Sequence, residues 1–311
     1  MKIAITGASG FIGTELLSLL KKTDNSIVGL TRGGRASEEE TAGSGKIPDA
    51  EASCPAVQWK ATDYTEASLA EVLEGVDVLV HLAGVRGTTP DPADYVINEE
   101  MTENILRAMV TAGVKRIVFA STISVYDDES LIPWTEDTPL KGRTAYGDSK
   151  IRCEQLIRRY ADECGVTYGI ARIAQVLGLG EKRRAMMNVF IDTAAAGGQL
   201  RVIGRSVVKR QYLYVKDLAK ILAALACGNE HLSAGENITV NAGMPHAYTN
   251  LEIAQIVNRV FENGTPIDYD DSKEETIRPS WMSTELLNQA LGIYPEDMEE
   301  AMTEVRSLKC E

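Results

Sequence analysis

No C-x-x-C pair occurs in this 311-residue sequence, and its five cysteines (Cys54, Cys153, Cys164, Cys227, Cys310) are odd in number and far apart. A disulfide framework or a structural zinc site needs closer pairing, so these read as reduced thiols of a cytoplasmic protein with no metal. No apolar run approaches the roughly 18 residues of a membrane-spanning helix. The first apolar run leads directly into a glycine turn, which predicts no signal peptide. Positive charge is scarce: 32 Lys and Arg stand against 45 Asp and Glu, a formal charge of −13. That excess argues against nucleic acid and against a polybasic membrane contact. An anionic ligand must therefore rely on local arginines. No internal repeat is visible, and the length allows one large domain or two small ones.

What is present begins with "MKIAITGASGFIGTELLSLLKK". "KIAIT" is apolar throughout, as a strand buried on both faces is. "FIGTELLSLLKK" puts Ile12, Leu16, Leu19 and Leu20 on one helical face. Gly7, Gly10 and Gly13 thus occupy a strand-to-helix turn. Such a turn serves either as an ordinary tight connection or as a phosphate cradle at a helix N-terminus, where free N–H groups and the positive dipole end meet an anion. The spacing is G-x-x-G-x-x-G rather than G-x-G-x-x-G.

Apolar strand candidates recur at "SIVGLTR", "VDVLVHLAG", "KRIVFASTIS" and "VTYGIARIAQVLG", separated by the helical patterns "SLAEVLEG", "EEMTENILRAMVTAG" and "AYGDSKIRCEQLIRRYADECG". This alternation predicts an α/β fold with a Rossmann-like, doubly wound parallel sheet. The stretch from Gly33 to Ala56, rich in Gly, Ser, Glu and Ala, reads as a surface loop. The pattern changes after Gly178, which predicts a smaller, interrupted C-terminal substrate domain. We place the dinucleotide-binding domain at 1–174, rejoined by 212–242, and the substrate domain at 175–211 and 243–311.

Arg32 closes the second strand candidate, with Arg35 nearby. It is either a solvated strand end or a holder of the 2′-phosphate of NADP, where a carboxylate would hold the free ribose of NAD. Asp63 sits before a helix, as a turn carboxylate or as a ligand contact. In "TAYGDSK", Tyr146 and Lys150 share a helical face at i and i+4. A lysine beside a phenol lowers its pKa and makes it a proton carrier. "FASTISVY" adds Ser121, Thr122 and Ser124 at the carboxyl end of a buried strand, and Thr122 can serve the same substrate oxygen as Tyr146.

Taken in order, "TGASGFIG", Asp63, "HLAG" at 81–84, "FASTISVY", "YGDSK", "ARIAQVLGLG", "RQYLYVKDLA" and "IRPSWMSTELLNQALG" resemble the extended short-chain dehydrogenase/reductase family, its sugar-nucleotide epimerase/dehydratase group. The resemblance covers nearly the whole chain. It implies that Gly7, Gly10 and Gly13, with Phe11 and Ile12, admit the pyrophosphate of NAD(P). It implies further that Asp63 bonds the adenine, with Tyr64, Leu82, Ala83 and Gly84 bordering the cofactor. Tyr146 becomes the acid/base, Lys150 its partner and ribose holder, and Thr122 the hydroxyl, four residues before Tyr126. Arg210 and Arg278 resemble the clamp on the substrate's nucleotide diphosphate, with Gln175 and Asn188 also on the substrate side. Gln175 departs from the asparagine frequent there. Arg32 departs from the acidic residue of NAD-binding members, so Arg32 favours NADP whereas the epimerase reading favours NAD. "STIS" lacks the Asp-Glu pair of dehydratases. The implied activity is a nucleotide-sugar 4-epimerase, of UDP-hexose or UDP-N-acetylhexosamine type, with an NADPH-dependent reductase of a keto sugar or other carbonyl compound as the alternative and a non-catalytic dinucleotide sensor third. A homodimer through the helix that begins near Tyr146 is a further expectation.

If Arg32 reaches the ribose 2′-position, Arg32→Asp raises the NAD-to-NADP affinity ratio by at least about tenfold, because a charged hydrogen bond is worth roughly 1.5–3 kcal/mol. Calorimetry with both dinucleotides measures this. An unchanged ratio leaves Arg32 as a solvated strand end.

Overall fold

The computed structural model describes residues 1–32, 56–182 and 185–310. Arg35, Cys54 and all of the predicted loop except Ala56 lie outside the described residues. In chain order the strands are β1 (Lys2–Thr6), β2 (Ser26–Thr31), β3 (Gln58–Ala61), β4 (Val78–His81), β5 (Arg116–Thr122), β6 (Thr167–Ile173), β7 (Gln175–Leu177), β8 (Arg201–Ile203), β9 (Arg210–Tyr214), β10 (Ile238–Ala242), β11 (Ala247–Tyr248) and β12 (Asp268–Asp270). The α-helices are α1 (Phe11–Leu20), α2 (Glu66–Val72), α3 (Val96–Ala112), α4 (Ala145–Cys164), α5 (Met186–Ala195), α6 (Val215–Cys227), α7 (Asn250–Val260), α8 (Glu285–Leu291) and α9 (Met298–Cys310).

Seven strands form one parallel sheet in the order β10-β6-β5-β4-β1-β2-β3. The chain steps outward from β1 in one direction to β3, then returns to β4 and steps the other way. The order therefore reverses between β1 and β4, and the crevice of such a sheet opens there, at the carboxyl ends. Burial on both faces explains the unbroken apolar strands: all of β5 is buried, as is β1 after Lys2.

Helix α1 buries Leu16, Leu17 and Leu20, while Ile12 and Leu19 are only partly covered. The stripe is wider than the periodicity predicts because α1 packs on the sheet and on α6 together. Helix α4 starts at Thr144, whose side chain accepts from Gly147 N, and stops at Gly165 in the left-handed region. These are standard start and stop signals, and they set the register of Tyr146 and Lys150.

The run "VTYGIARIAQVLG" is not one strand. It splits at Ala174, whose N–H donates to Ala242 O, and continues as β7 in a second sheet, β11-β9-β7. A second core lies here, built on Leu177, Phe190, Tyr212, Tyr214, Ile253 and Met302 among others. Two features bear on the domain division. Tyr212 and Tyr214 belong to this second core, whereas Leu287 and Leu291 of α8 join the core of the large sheet. We therefore propose that the two units interleave more closely than 1–174 with 212–242 against the remainder. Among the described residues no helix is long and apolar enough to cross a membrane, and no three His, Cys, Asp or Glu converge on a metal position.

Gly13 tests the close packing of the first turn. A Cβ there would lie 2.3 Å from Gly7 O and 2.7 Å from the Ala8 backbone, whereas one at Gly10 would meet only Gly7 O at 3.1 Å. Gly13→Ala is expected to cost about 1–3 kcal/mol, as overpacking does, and Gly10→Ala clearly less. Denaturant unfolding of both variants checks the order.

Candidate active site

The site grows from the reversal between β1 and β4. Gly7 follows β1 with φ +68°, and a Cβ on it would sit 2.9 Å from Ala83 N. The loops after β1 and β4 thus pass at backbone contact. Thr6 Oγ1 accepts from Leu82 N and from Ala83 N, both at 3.1 Å. With its lone pairs so used, it gives its own proton to His81 Nδ1 at 2.8 Å. That leaves the His81 proton on Nε2, facing Thr102 Oγ1 at 3.3 Å. Thr102 in turn donates to Asn98 O. Burial, then the Lys150 charge, push the His81 pKa down to about 3, so the ring stays neutral. Asn98 completes the frame: its side chain accepts from Val85 N and donates to Val85 O and Ser149 Oγ. Ser149 donates to Tyr146 O. A continuous polar chain therefore runs from β1 to the first turn of α4.

The three glycines divide their work. Gly7 and Gly13 are required by the chain's own backbone, while Gly10 is exposed beside the open N-terminus of α1, which no side chain caps. The family resemblance implied that all three admit a pyrophosphate; here Gly10 and the helix N-terminus supply the room and the donors, and the other two make the turn. That arrangement fits a dinucleotide.

A cavity of about 880 Å³ opens above this turn. It brings together Gly7, Gly10, Phe11, Ile12, Gly13, Leu82, Gly84, Thr122, Tyr146, Lys150, Gln175, Arg210 and Arg278 from the sequence reading. It is not lined by Arg32, Asp63, Tyr64, Ala83 or Asn188. Arg32 is exposed at the end of β2. Asp63 Oδ1 accepts from Thr65 N at 2.9 Å and Thr65 Oγ1 at 2.7 Å, which pulls its carboxyl below the ordinary value. Asn188 donates to Glu181 O.

Lys150 is fully buried, and its Nζ donates to Ala120 O at 2.9 Å and lies 4.4 Å from the centre of the Phe119 ring. Burial lowers its pKa; Cys153 and Glu154 oppose the shift. Thr122 Oγ1 accepts from Ser124 N at 3.2 Å, leaving its hydroxyl proton to give. Tyr146 departs from the sequence expectation. Burial pushes its pKa up to about 12, and the charge pulling it down is that of Arg86 rather than Lys150. The Lys150 ammonium is 5.9 Å from the centre of the Tyr146 ring and is directed at a carbonyl. Desolvation outweighs a cation at that distance.

The same cavity is lined by Arg210 and Arg278, and by Arg143 and Arg86, which sequence reasoning missed. Arg210 Nη2 donates to Asn250 Oδ1, and its Nε has no hydrogen-bond partner among the described residues. Arg86 pairs with Glu181 across the cavity at 2.7 Å. Neither Arg86 nor Arg143 falls on a periodic or spaced pattern; only their nearness to "HLAG" and "AYGDSK" could have marked them. The buried pair Arg172–Glu154 at 2.8 Å ties β6 to α4, and Ser121 Oγ, on β5, donates to Glu154 Oε1.

The profile of the NAD dependent epimerase/dehydratase family matches residues 3–243. An uncharacterized UDP-glucose epimerase of Bacillus subtilis is 26% identical over 303 residues, covering 95% of this chain and 93% of the relative. The UDP-glucose 4-epimerase of Corynebacterium glutamicum is 24% identical, over 95% of this chain and 91% of its own. Among solved structures, a UDP-N-acetylglucosamine 4-epimerase from Bacillus cereus superposes with TM-score 0.86 and 30% identity over the full length of both chains.

Because burial holds Tyr146 up, its phenol is expected to stay neutral at pH 10 in the free protein, where an ordinary tyrosine of pKa 10.0 is half ionised. A cationic ring brought beside it lowers the pKa by about one unit or more. Ultraviolet difference spectra of the wild type against Tyr146→Phe, with and without NAD, read this directly. Phenolate at pH 10 without NAD, or no change on adding it, contradicts the account.

Proposed function

The chain belongs to the NAD dependent epimerase/dehydratase family, and from that premise we propose that it is a nucleotide-sugar 4-epimerase acting on a UDP-hexose or UDP-N-acetylhexosamine. The observation that supports this reading is that Tyr146, Lys150 and Thr122 line one cavity together with the glycine turn and with Arg86, Arg143, Arg210 and Arg278. The relatives named for UDP-glucose and UDP-N-acetylglucosamine support the substrate class.

NAD, when bound, supplies reversible two-electron oxidation at the sugar C4. The chain's own residues do the rest. Gly10 and the N-terminus of α1 receive the pyrophosphate. Lys150, anchored on Ala120 O, is positioned to hold the ribose. Tyr146, as the phenolate that a bound cationic nicotinamide ring would favour, would take the C4 hydroxyl proton as that carbon is oxidised and return it when the carbon is reduced on the other face, so the proton and electron counts close with no net redox change. Thr122 donates its free proton to the same oxygen. Arg210 and Arg278 hold the diphosphate while the flat keto sugar turns over. Asp63 and Tyr64 border the adenine end, and Gln175 and Asn188 the substrate end. The reaction belongs in the cytoplasm, and a homodimer through α4 is part of the reading.

A reductase reading rests on Arg32 alone, which is exposed just after β2. Absorbance separates the two. An epimerase interconverts UDP-glucose and UDP-galactose, or their N-acetyl forms, with no net change at about 340 nm, whereas a reductase consumes dinucleotide. Turnover of Tyr146→Phe, followed by NMR of the product sugar, should fall by about 10²–10⁴, the usual worth of a positioned acid or base. Activity within a factor of about two of the wild type would assign the proton to another group.

A further inference from the structure

Two arginines of the cavity wall face the same two carboxylate oxygens. Arg278 donates from Nη1 to Asp127 Oδ1 at 2.8 Å and from Nε to Glu129 Oε1 at 2.5 Å. Arg143 presents Nε to that same Asp127 oxygen at 3.5 Å and Nη2 to that same Glu129 oxygen at 3.7 Å. Both Arg143 atoms are shut off from solvent, and among the described residues neither has a hydrogen-bond partner. The remaining nitrogen, Nη1, donates to Pro279 O at 2.8 Å, and the guanidinium lies over the buried Trp134 ring at 5.1 Å. Arg143 is thus fixed in place with one edge unused. Arg278 is the more exposed partner, its side chain 50% accessible against 14% for Arg143. Lys141 reaches only the other Asp127 oxygen, from solvent.

Buried donors without acceptors are unfavourable, and the Nε–Nη2 edge of a guanidinium matches a pair of carboxylate oxygens. Asp127 and Glu129 do not line the cavity themselves, but they hold Arg278, which does, together with Arg143 and Arg210. If Arg278 left them for an anion in that cavity, the two carboxylates would lose their shortest ion pairs and keep only Lys141, reached from solvent, and the unused edge of Arg143.

We infer that Arg143 is a positioning residue of the substrate site: it takes over Asp127 and Glu129 when Arg278 turns to the nucleotide diphosphate, and so frees Arg278 to bind. This rests on the proposed nucleotide-sugar reading. Arg143 touches no substrate atom in this scheme; it acts through Arg278. The paired acids hold Arg278 and the 276–280 segment in place until a diphosphate competes for the guanidinium.

Calorimetry with UDP on the full chain tests the exchange in two backgrounds. Arg143→Met should weaken UDP about tenfold, within the range of coupled charge networks. In an Asp127→Asn/Glu129→Gln background the same change should matter less than about twofold, because Arg278 then leaves no charge behind. Equal loss in both backgrounds would make Arg143 a direct ligand, and no loss in either would make it structural; both overturn the inference. Should Arg143→Met not fold, Arg143→Lys carries the same comparison, since one ammonium cannot engage both carboxylates as the fork does. If the wild type binds no UDP, the nucleotide-sugar reading fails by itself, and thermal unfolding without ligand decides the exchange. Either arginine can hold the acids, so the loss in Tm of the Arg143→Met/Arg278→Met pair should exceed the sum of the single losses by at least about 2 °C. Strict additivity overturns it.

Discussion

The loops leaving β1 and β4 pass each other with no room for a side chain, and the rest of the site depends on that approach. Gly7 touches the Ala83 backbone, and the Thr6 hydroxyl ties both strands together through two amides and one imidazole. A methyl group at Gly7 would part the loops. The chain of hydrogen bonds from His81 through Thr102, Asn98 and Ser149 to the first turn of α4 would then lose its register. Because burial keeps His81 neutral, this frame does not change with pH across the physiological range. Preorganisation of this kind sets the position of the Tyr146 turn before any ligand arrives.

Electrostatics in the cavity follow a second rule. An acidic chain gathers cations where it needs them and counters each of them nearby. Arg86 is paired with Glu181, Arg278 with Asp127 and Glu129, and the deeply buried Arg172 with Glu154. Two cavity cations depart from this: Arg210 donates to an amide oxygen of Asn250, and Lys150 is held by a carbonyl and an aromatic face rather than by a carboxylate. The Lys150 charge therefore stays available to a bound group instead of being spent on an internal ion pair. The raised Tyr146 and the lowered Lys150 are two sides of the same dry environment, which disfavours both charged forms.

Much of this was legible in the residues themselves. The glycine turn, the apolar strands, and the cap and stop of α4 are local features, and local chemistry sets them. Tyr146 and Lys150 share a helix, so their common face follows from a period of 3.6 residues. Other features were not legible. "VTYGIARIAQVLG" divides between two sheets because Ala174 bonds to Ala242, a residue far along the chain. Leu17 is buried because α6 covers a flank of α1 that the periodicity leaves bare.

What the sequence by itself determined was therefore the set of elements, the parallel doubly wound order and the identity of the groups able to move a proton or meet a phosphate. These depend on periodicity, turn chemistry and residue type within a few positions. Only the tertiary structure decided how those groups are poised. That the Tyr146 pKa rises rather than falls, that Arg86 instead of Lys150 opposes the rise, and that Arg143 and Arg278 confront one pair of carboxylates are all consequences of burial and of distances between segments remote in sequence. Desolvation and Coulomb energy vary with three-dimensional separation and solvent access, and neither quantity is written along the chain.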